Sequence, residues 1–162
     1  NAGGVSRPVA RDIGDAAWVE GMTLNFGTVR RITEVFVPKM IENKYGHIVN
    51  ISGSSEPRGV NIATTAKAAV HVWSKGRSIA HVRAGLTFNC IAPGRVNTEQ
   101  TRDNLHPDPE ERDAFADENI PLGYFGEPED IGNLIAFLAS PRARFITGEV
   151  IQFDGGMRRF AF

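Results

Sequence analysis

Apolar residues at Trp18, Met22, Val29, Ile32, Phe36 and Met40 fall at spacings of threes, fours and one seven, which predicts a long amphipathic helix from Asp15 onward, kinked or ended near Pro38. Asn25 takes the slot between Met22 and Val29 where an apolar residue is expected, so a carboxamide points inward and has to find partners there. A second helical pattern runs from about Thr64 through Val70, Trp73 and Ile79 to the vicinity of His81, and Gly85 closes it. Three β-rich runs lie over residues 48–51, 86–92 and 146–153. The first, Ile48-Val49-Asn50-Ile51, lacks clean alternation, as a parallel strand covered on both faces does.

Breaks separate these elements. Residues 1–12 have no period and read as a loop; Ser52-Gly53-Ser54-Ser55 ends the first strand, and Pro57 and Gly59 continue the interruption. Pro93-Gly94 stops the second strand, and residues 95–107 form a loop long enough to suggest a functional role. Asp108-Pro109-Glu110-Glu111 and Gly126-Glu127-Pro128-Glu129-Asp130 both place proline and acids at a helix start, the second leading into the apolar face Ile131, Leu134, Ile135 and Leu138.

Strand, helix, strand, helices, strand is the order of an α/β domain with a parallel sheet and right-handed crossovers, here a single domain over residues 1–162. The first strand is too flat and apolar for a bare sheet edge, so something should cover it. Ligands of such sheets bind at the carboxyl ends of the strands, with phosphates on a glycine-rich turn. Neither G-x-G-x-x-G nor G-x-x-x-x-G-K-[ST] occurs. The chain therefore reads as the second half of a doubly wound Rossmann-type domain with its glycine-rich N-terminal half absent.

The composition narrows the function classes. The 162 residues carry 18 basic and 19 acidic side chains, net −1, and 41% are hydrophobic. Arg158-Arg159 is too short a basic run for nucleic acid, and no apolar run reaches the ~20 residues of a membrane span. The absence of a signal-peptide pattern gives a cytoplasmic expectation. Cys90 alone makes no internal disulfide, and His47, His71, His81 and His106 lack metal-site spacing.

The order of motifs resembles the short-chain dehydrogenase/reductase family of NAD(P)-dependent oxidoreductases, over essentially the whole chain. Asn1-Ala2-Gly3 looks like the motif after that family's fourth strand; Asn25 matches its mid-helix active-site asparagine; Ile48-Val49-Asn50-Ile51-Ser52 resembles the strand leading to its serine; Lys67 matches its lysine. Asn89-Cys90-Ile91-Ala92-Pro93-Gly94, with Val96 and Thr98, is similar to the strand and loop facing the nicotinamide, and Ile146-Thr147-Gly148 through Asp154-Gly155-Gly156 closes the pattern. The ending resembles members labelled 3-oxoacyl-acyl-carrier-protein reductase. The resemblance implies oxidoreduction of a small carbonyl or alcohol substrate with NAD or NADP, and a homodimer or homotetramer. It assigns Asn25, Ser54 and Lys67 to catalysis, and Asn1, Gly3, Lys67, Pro93, Gly94, Val96 and Thr98 to the cofactor.

Two departures qualify that reading. Four residues before the lysine, where the family has its proton-donating tyrosine, stands Ala63, and alanine transfers no proton. Two positions after the first β-run, where its serine is expected, stands Gly53, so that only a small shift of register would bring Ser54 into the site. Turnover is expected to be feeble, and cofactor binding by these residues alone weak or absent. The rivals are a cofactor-binding or scaffolding homologue without redox turnover, and a truncated piece of an active enzyme.

Overall fold

The computed structural model describes residues 14–56 and 59–159. The opening loop, with Asn1 and Gly3, and Pro57 lie outside them. Where one long helix is expected there are two with a wider turn between: α1 (Asp15–Met22), a π-helical turn over Thr23–Gly27, and α2 (Thr28–Asn43). Asn25 lies within that wider turn. Its side chain is 4% exposed, and Nδ2 donates to Gly21 O at 3.0 Å, a bond from a carboxamide back to the main chain one turn earlier. Pro38 sits inside α2 without ending it.

Strand β1 (Gly46–Ile51) is followed by α3 (Ile62–His81), which starts two residues earlier than its periodicity indicates because Asn61 caps it, accepting from Thr64 N–H at 3.0 Å. Gly85, at φ 81°, closes that unit and delivers β2 (Leu86–Pro93). Helices α4 (Pro109–Asn119) and α5 (Pro128–Leu138) begin at their Asp-Pro and Glu-Pro signals: Asp108 accepts from Glu110 N–H at 2.8 Å, and Asp130 accepts from Glu127 N–H at 3.0 Å in a capping box. The last strand, β3 (Val150–Phe153), is half the length its apolar run suggests, because residues 146–149 cross to it as a loop bonded to the side of β2.

The sheet is parallel in the order β1-β2-β3, with Ile51 beside Ile91 and Pro93 beside Phe153, so the three strands end at one carboxyl edge. Alternation along β2 builds the layers. Leu86 and Phe88 pack with Val37 of α2, and Cys90 with Val29 of α2 and Val70 of α3, on one face; Ile91 packs with Leu138 of α5 on the other. Burial of a side chain such as Leu86, Phe88 or Ile91 contributes about 1.5–3 kcal/mol, which is why central β2 is the most fully enclosed element. No described helix is long and apolar enough to cross a membrane.

Candidate functional site

The carboxyl edge of the sheet gathers most of the described candidate residues. Beyond Ile51 the main chain stays pinned to β2, since Ser52 N–H donates to Ile91 O at 2.8 Å. Ser52 is 5% exposed, and its Oγ–H donates to the same carbonyl at 3.0 Å while lying 2.7 Å from His71 Nε2. A serine hydroxyl has one proton, so with that proton on Ile91 O the imidazole donates, and the neutral ring carries its hydrogen on Nε2. Burial, followed by the nearby Arg158 and Lys67 cations, pushes His71 below its ordinary range. Arg158 is itself held by Glu56, Nε to Oε1 at 3.2 Å, tying the C-terminal segment to the loop after β1.

Lys67 reaches toward this edge from α3. A Cβ at Gly53 would stand 3.1 Å from its Cδ and 3.3 Å from its Nζ, so the lysine stem lies across the bare Cα of the glycine. The ammonium has no hydrogen-bond or ion-pair partner among the described residues, and burial alone pushes its pKa down. Ala63 is one helical turn earlier on α3 and brings no phenol. The chain's two tyrosines lie elsewhere: Tyr45 precedes β1 at the opposite edge, and Tyr124 is exposed between α4 and α5. Ser54 is exposed, and its Oγ accepts from Glu56 N–H at 3.1 Å, which stabilises the turn. Gly53, rather than Ser54, is the residue against Lys67.

The second flank is built by main chain. Gly94 N–H donates to Phe153 O at 2.9 Å, and a Cβ at Gly94 would stand 2.7 Å from Asp154 Cβ and 2.9 Å from its Cα, so only glycine fits between β2 and the end of β3. Val96 is buried and forms a parallel bridge with Gly126. Thr98 is exposed; its Oγ1 accepts from Thr101 N–H at 3.2 Å and opens a short π-helical turn over Thr101–Leu105 within the loop expected to be irregular. An open depression of about 590 Å³ lies outside this loop, between Thr98, Arg102 and Glu127, with neither Lys67 nor Gly53 in its wall.

Asn25 lies on the π-turn that rests against α3. Gly21 allows that packing, since a side chain there would collide with Ile62 at the start of α3. The expected cofactor residues Asn1 and Gly3 lie outside the described region. His71 and Arg158 are missed by pattern reading. The available signal for His71 is its place four residues after Lys67, on the same face of one helix.

An ammonium part-buried without an acceptor among the described residues, beside the bare main chain of Gly53, suits a ligand that brings its own hydroxyl or carbonyl oxygens. Comparison with known proteins bears on this. Residues 1–158 match the family described as Enoyl-(Acyl carrier protein) reductase. The chain is 35% identical over 161 residues to the 3-oxoacyl-acyl-carrier-protein reductase FabG of Rickettsia felis, covering 97% of this chain and 65% of that protein. It is also 35% identical to the (2S)-(R)-hydroxy(phenyl)methyl-succinyl-CoA dehydrogenase subunit BbsD of Thauera aromatica, covering 99% of this chain and 64% of that one. Among solved structures, L-sorbose reductase from Gluconobacter frateurii, complexed with NADPH and L-sorbose, superposes with a TM-score of 0.89 at 27% identity over 99% of this chain and 65% of that one. The chain spans a little under two thirds of the length of these relatives, and it belongs to the short-chain dehydrogenase/reductase family.

Proposed function

We propose that this chain contributes the C-terminal, substrate-side half of an NAD(P)-dependent oxidoreductase for a small carbonyl or alcohol substrate, with proton transfer impaired. The observation that carries this reading is Lys67: the ammonium is kept at the carboxyl edge of β1 with no partner among the described residues, while one turn earlier, where the resemblance implies a phenol, stands Ala63. The dinucleotide, when bound, supplies the hydride donor or acceptor. Lys67 would hold its ribose hydroxyls, the main chain of Pro93, Gly94 and Val96 with the Thr98 hydroxyl would line its nicotinamide end, and Asn1 and Gly3 would flank it. Asn25 would hold the π-turn that rests against α3, and Ser54 is the nearest hydroxyl beyond Gly53 able to orient a carbonyl oxygen.

No glycine-rich phosphate turn occurs in these residues, so their affinity for NAD(H) or NADP(H) is expected to be weak or undetectable by titration calorimetry. Micromolar binding by a sample whose intact mass matches these 162 residues would refute the half-site reading. A chain that also carries a glycine-rich turn should bind. Gly53 and Ala63, standing where the resemblance implies a serine and a tyrosine, favour a second reading, a cofactor-binding homologue without turnover; single-turnover hydride transfer in such a longer chain separates the two.

Association is the other part of the proposal. Ile32 and Phe36 on α2, and Val72 and Ile79 on α3, are large apolar side chains with 49%, 56%, 76% and 71% of their surface exposed, each pair on one side of its helix. Pairing of these helices with a second copy would bury them in a homodimer or homotetramer. Sedimentation should detect the assembly, and a strictly monomeric species at high concentration would count against it.

A further inference from the structure

Residues 98–106 lead from the carboxyl end of β2 toward α4 and hold mainly to themselves. Among the described residues, every hydrogen bond they make ends within 95–106: Thr98 N–H donates to Val96 O at 2.8 Å, Arg102 reaches back to Asn97 O at 2.9 Å, and His106 N–H donates to Thr101 O at 2.8 Å. The base of the loop is firm, since Arg95 O accepts from Gly126 N–H at 3.1 Å and Asn97 N–H donates to Gly126 O at 2.9 Å. The far end returns to that base through one side-chain bond, Arg95 Nε–H to His106 Nε2 at 3.2 Å, which closes the neck of the loop.

Both neck residues lie against the same ring. The Arg95 guanidinium stands 5.2 Å from the centre of Phe115 on α4, and the His106 ring stands 4.5 Å from Phe115 and 5.4 Å from Phe125. A guanidinium N–H can only donate, so Nε2 carries no hydrogen and the neutral imidazole holds its single proton on Nδ1. A second proton can go only to Nε2, the atom that faces Arg95, where it would set two N–H groups against each other. From this geometry we propose that His106 is a proton-operated latch: neutral, it accepts from Arg95 and keeps the loop closed at its neck; protonated, it releases Arg95, and residues 98–106 loosen while the sheet stays folded. The surrounding charges act in the same sense. Burial first, then Arg95, lower the His106 pKa from 6.5 in the closed loop; on α4, Glu111 raises it and Arg112 lowers it again, and Phe115 and Phe125 bring no charge. The latch is therefore complete above about 6.5 and is lost as the pH falls from there toward the lowered value. It belongs to the chain itself and does not depend on the hydride-transfer reading.

Hydrogen exchange of the chain between about pH 8 and about pH 5, corrected for the intrinsic pH dependence of amide exchange and run beside an NMR titration of the histidines, tests the latch. His106 should titrate below 6.5, and as it does so the amides of Thr101, Arg102 and His106 should lose protection, about tenfold for each unit by which the closed loop lowers that pKa, while those of β2 keep theirs. In His106→Gln the carboxamide oxygen still accepts from Arg95 but takes up no proton, so the loop should stay protected and the acid step should vanish. In Arg95→Met the donor is gone, so the loop should already be loose at neutral pH and His106 should titrate closer to 6.5. Circular dichroism checks that both variants are folded. An acid step that persists in folded His106→Gln, loop and β2 amides that lose protection together, or a His106 titration unmoved by Arg95→Met overturns the proposal; if His106→Gln does not fold, the other two measurements decide. None of them involves a dinucleotide, so their failure leaves the cofactor reading untouched, and failure to bind cofactor leaves the latch untouched.

Discussion

On one flank of the carboxyl edge, Pro93, Gly94 and Val96 are fixed by main-chain bonds to β3 and to the Gly126 segment, and glycine stands where Asp154 leaves no room for a side chain. On the other flank the framework is equally well held, by Ser52 on Ile91 and by the capped start of α3, yet Gly53 and Ala63 carry no functional group. The difference separates two kinds of constraint. A residue whose role is steric or conformational is held by packing, and changing it costs stability whatever the chemistry. A residue whose role is to donate a proton contributes little to packing and can be lost without unfolding the chain. On the proposed reading, the first flank would be the scaffold of a cofactor crevice, and the second a scaffold without the usual reacting groups beside the Lys67 amine.

The largest effect should come from restoring the second flank. In a chain extended to include a glycine-rich turn, Ala63→Tyr puts a phenol one helical turn from Lys67, close enough for the ammonium to lower its pKa, and a positioned general acid is worth about 10²- to 10⁴-fold in rate. Carbonyl reduction, followed as NADPH oxidation, should rise by a factor in that range. Adding Gly53→Ser should raise it further only if the lysine tip, 3.1–3.3 Å from the new Cβ, swings aside. If the unmodified chain already turns over ketones at rates that neither Ala63→Tyr nor Lys67→Ala alters, the two flanks do not differ as described.

The first flank should respond in stability instead. Gly94→Ala inserts a Cβ 2.7 Å from one Asp154 carbon and 2.9 Å from its main chain, and Asp154 cannot retreat easily because its carboxylate holds Gly156 N–H at 3.0 Å and Arg158 N–H at 2.9 Å. Overpacking of this kind costs about 1–3 kcal/mol, which chemical denaturation would register as a lower midpoint at unchanged slope. A neutral outcome would mean that main-chain packing does not constrain this flank.

What could be read from the sequence follows the same division. The strands, the helix starts at Asp108 and Glu127, the inward carboxamide of Asn25 and the parallel α/β order are all set by local pattern and capping chemistry, and each is present in the structure. The π-turn at Asn25 and the shortness of β3 were not legible, because both depend on partners distant in sequence: the start of α3 in one case and the side of β2 in the other. At the site, the positions of Lys67, Ala63 and Gly53 along the chain were readable. That Lys67 lies across Gly53, and that His71 and Ser52 lock together beneath it, required the crossing of α3 over the end of β1.

The smallest effect expected is a pH dependence on the second flank, and it tests whether that flank is electrostatically strained as well as stripped. Burial first, then Arg158 and Lys67, lower the His71 pKa from its ordinary 6.5 in the folded state. The unfolded chain therefore takes up a proton at higher pH than the folded one does, so stability is complete above about 6.5, falls as the pH drops through 6.5 toward the lowered folded value, and loses nothing more from this group below that. Because the proton on Nε2 is already donated to Ser52, the added proton must go to Nδ1, where it meets the field of both cations. Lys67→Met removes one of those cations and should flatten the acid limb of a plot of unfolding free energy against pH, while His71→Asn should remove this group's share altogether. His47, His81 and His106 are also lowered by burial, so part of the slope should survive both substitutions. An acid limb unchanged by either variant would show that the Lys67 and Arg158 charges are screened from His71, and that this flank differs from its neighbour in its side chains alone.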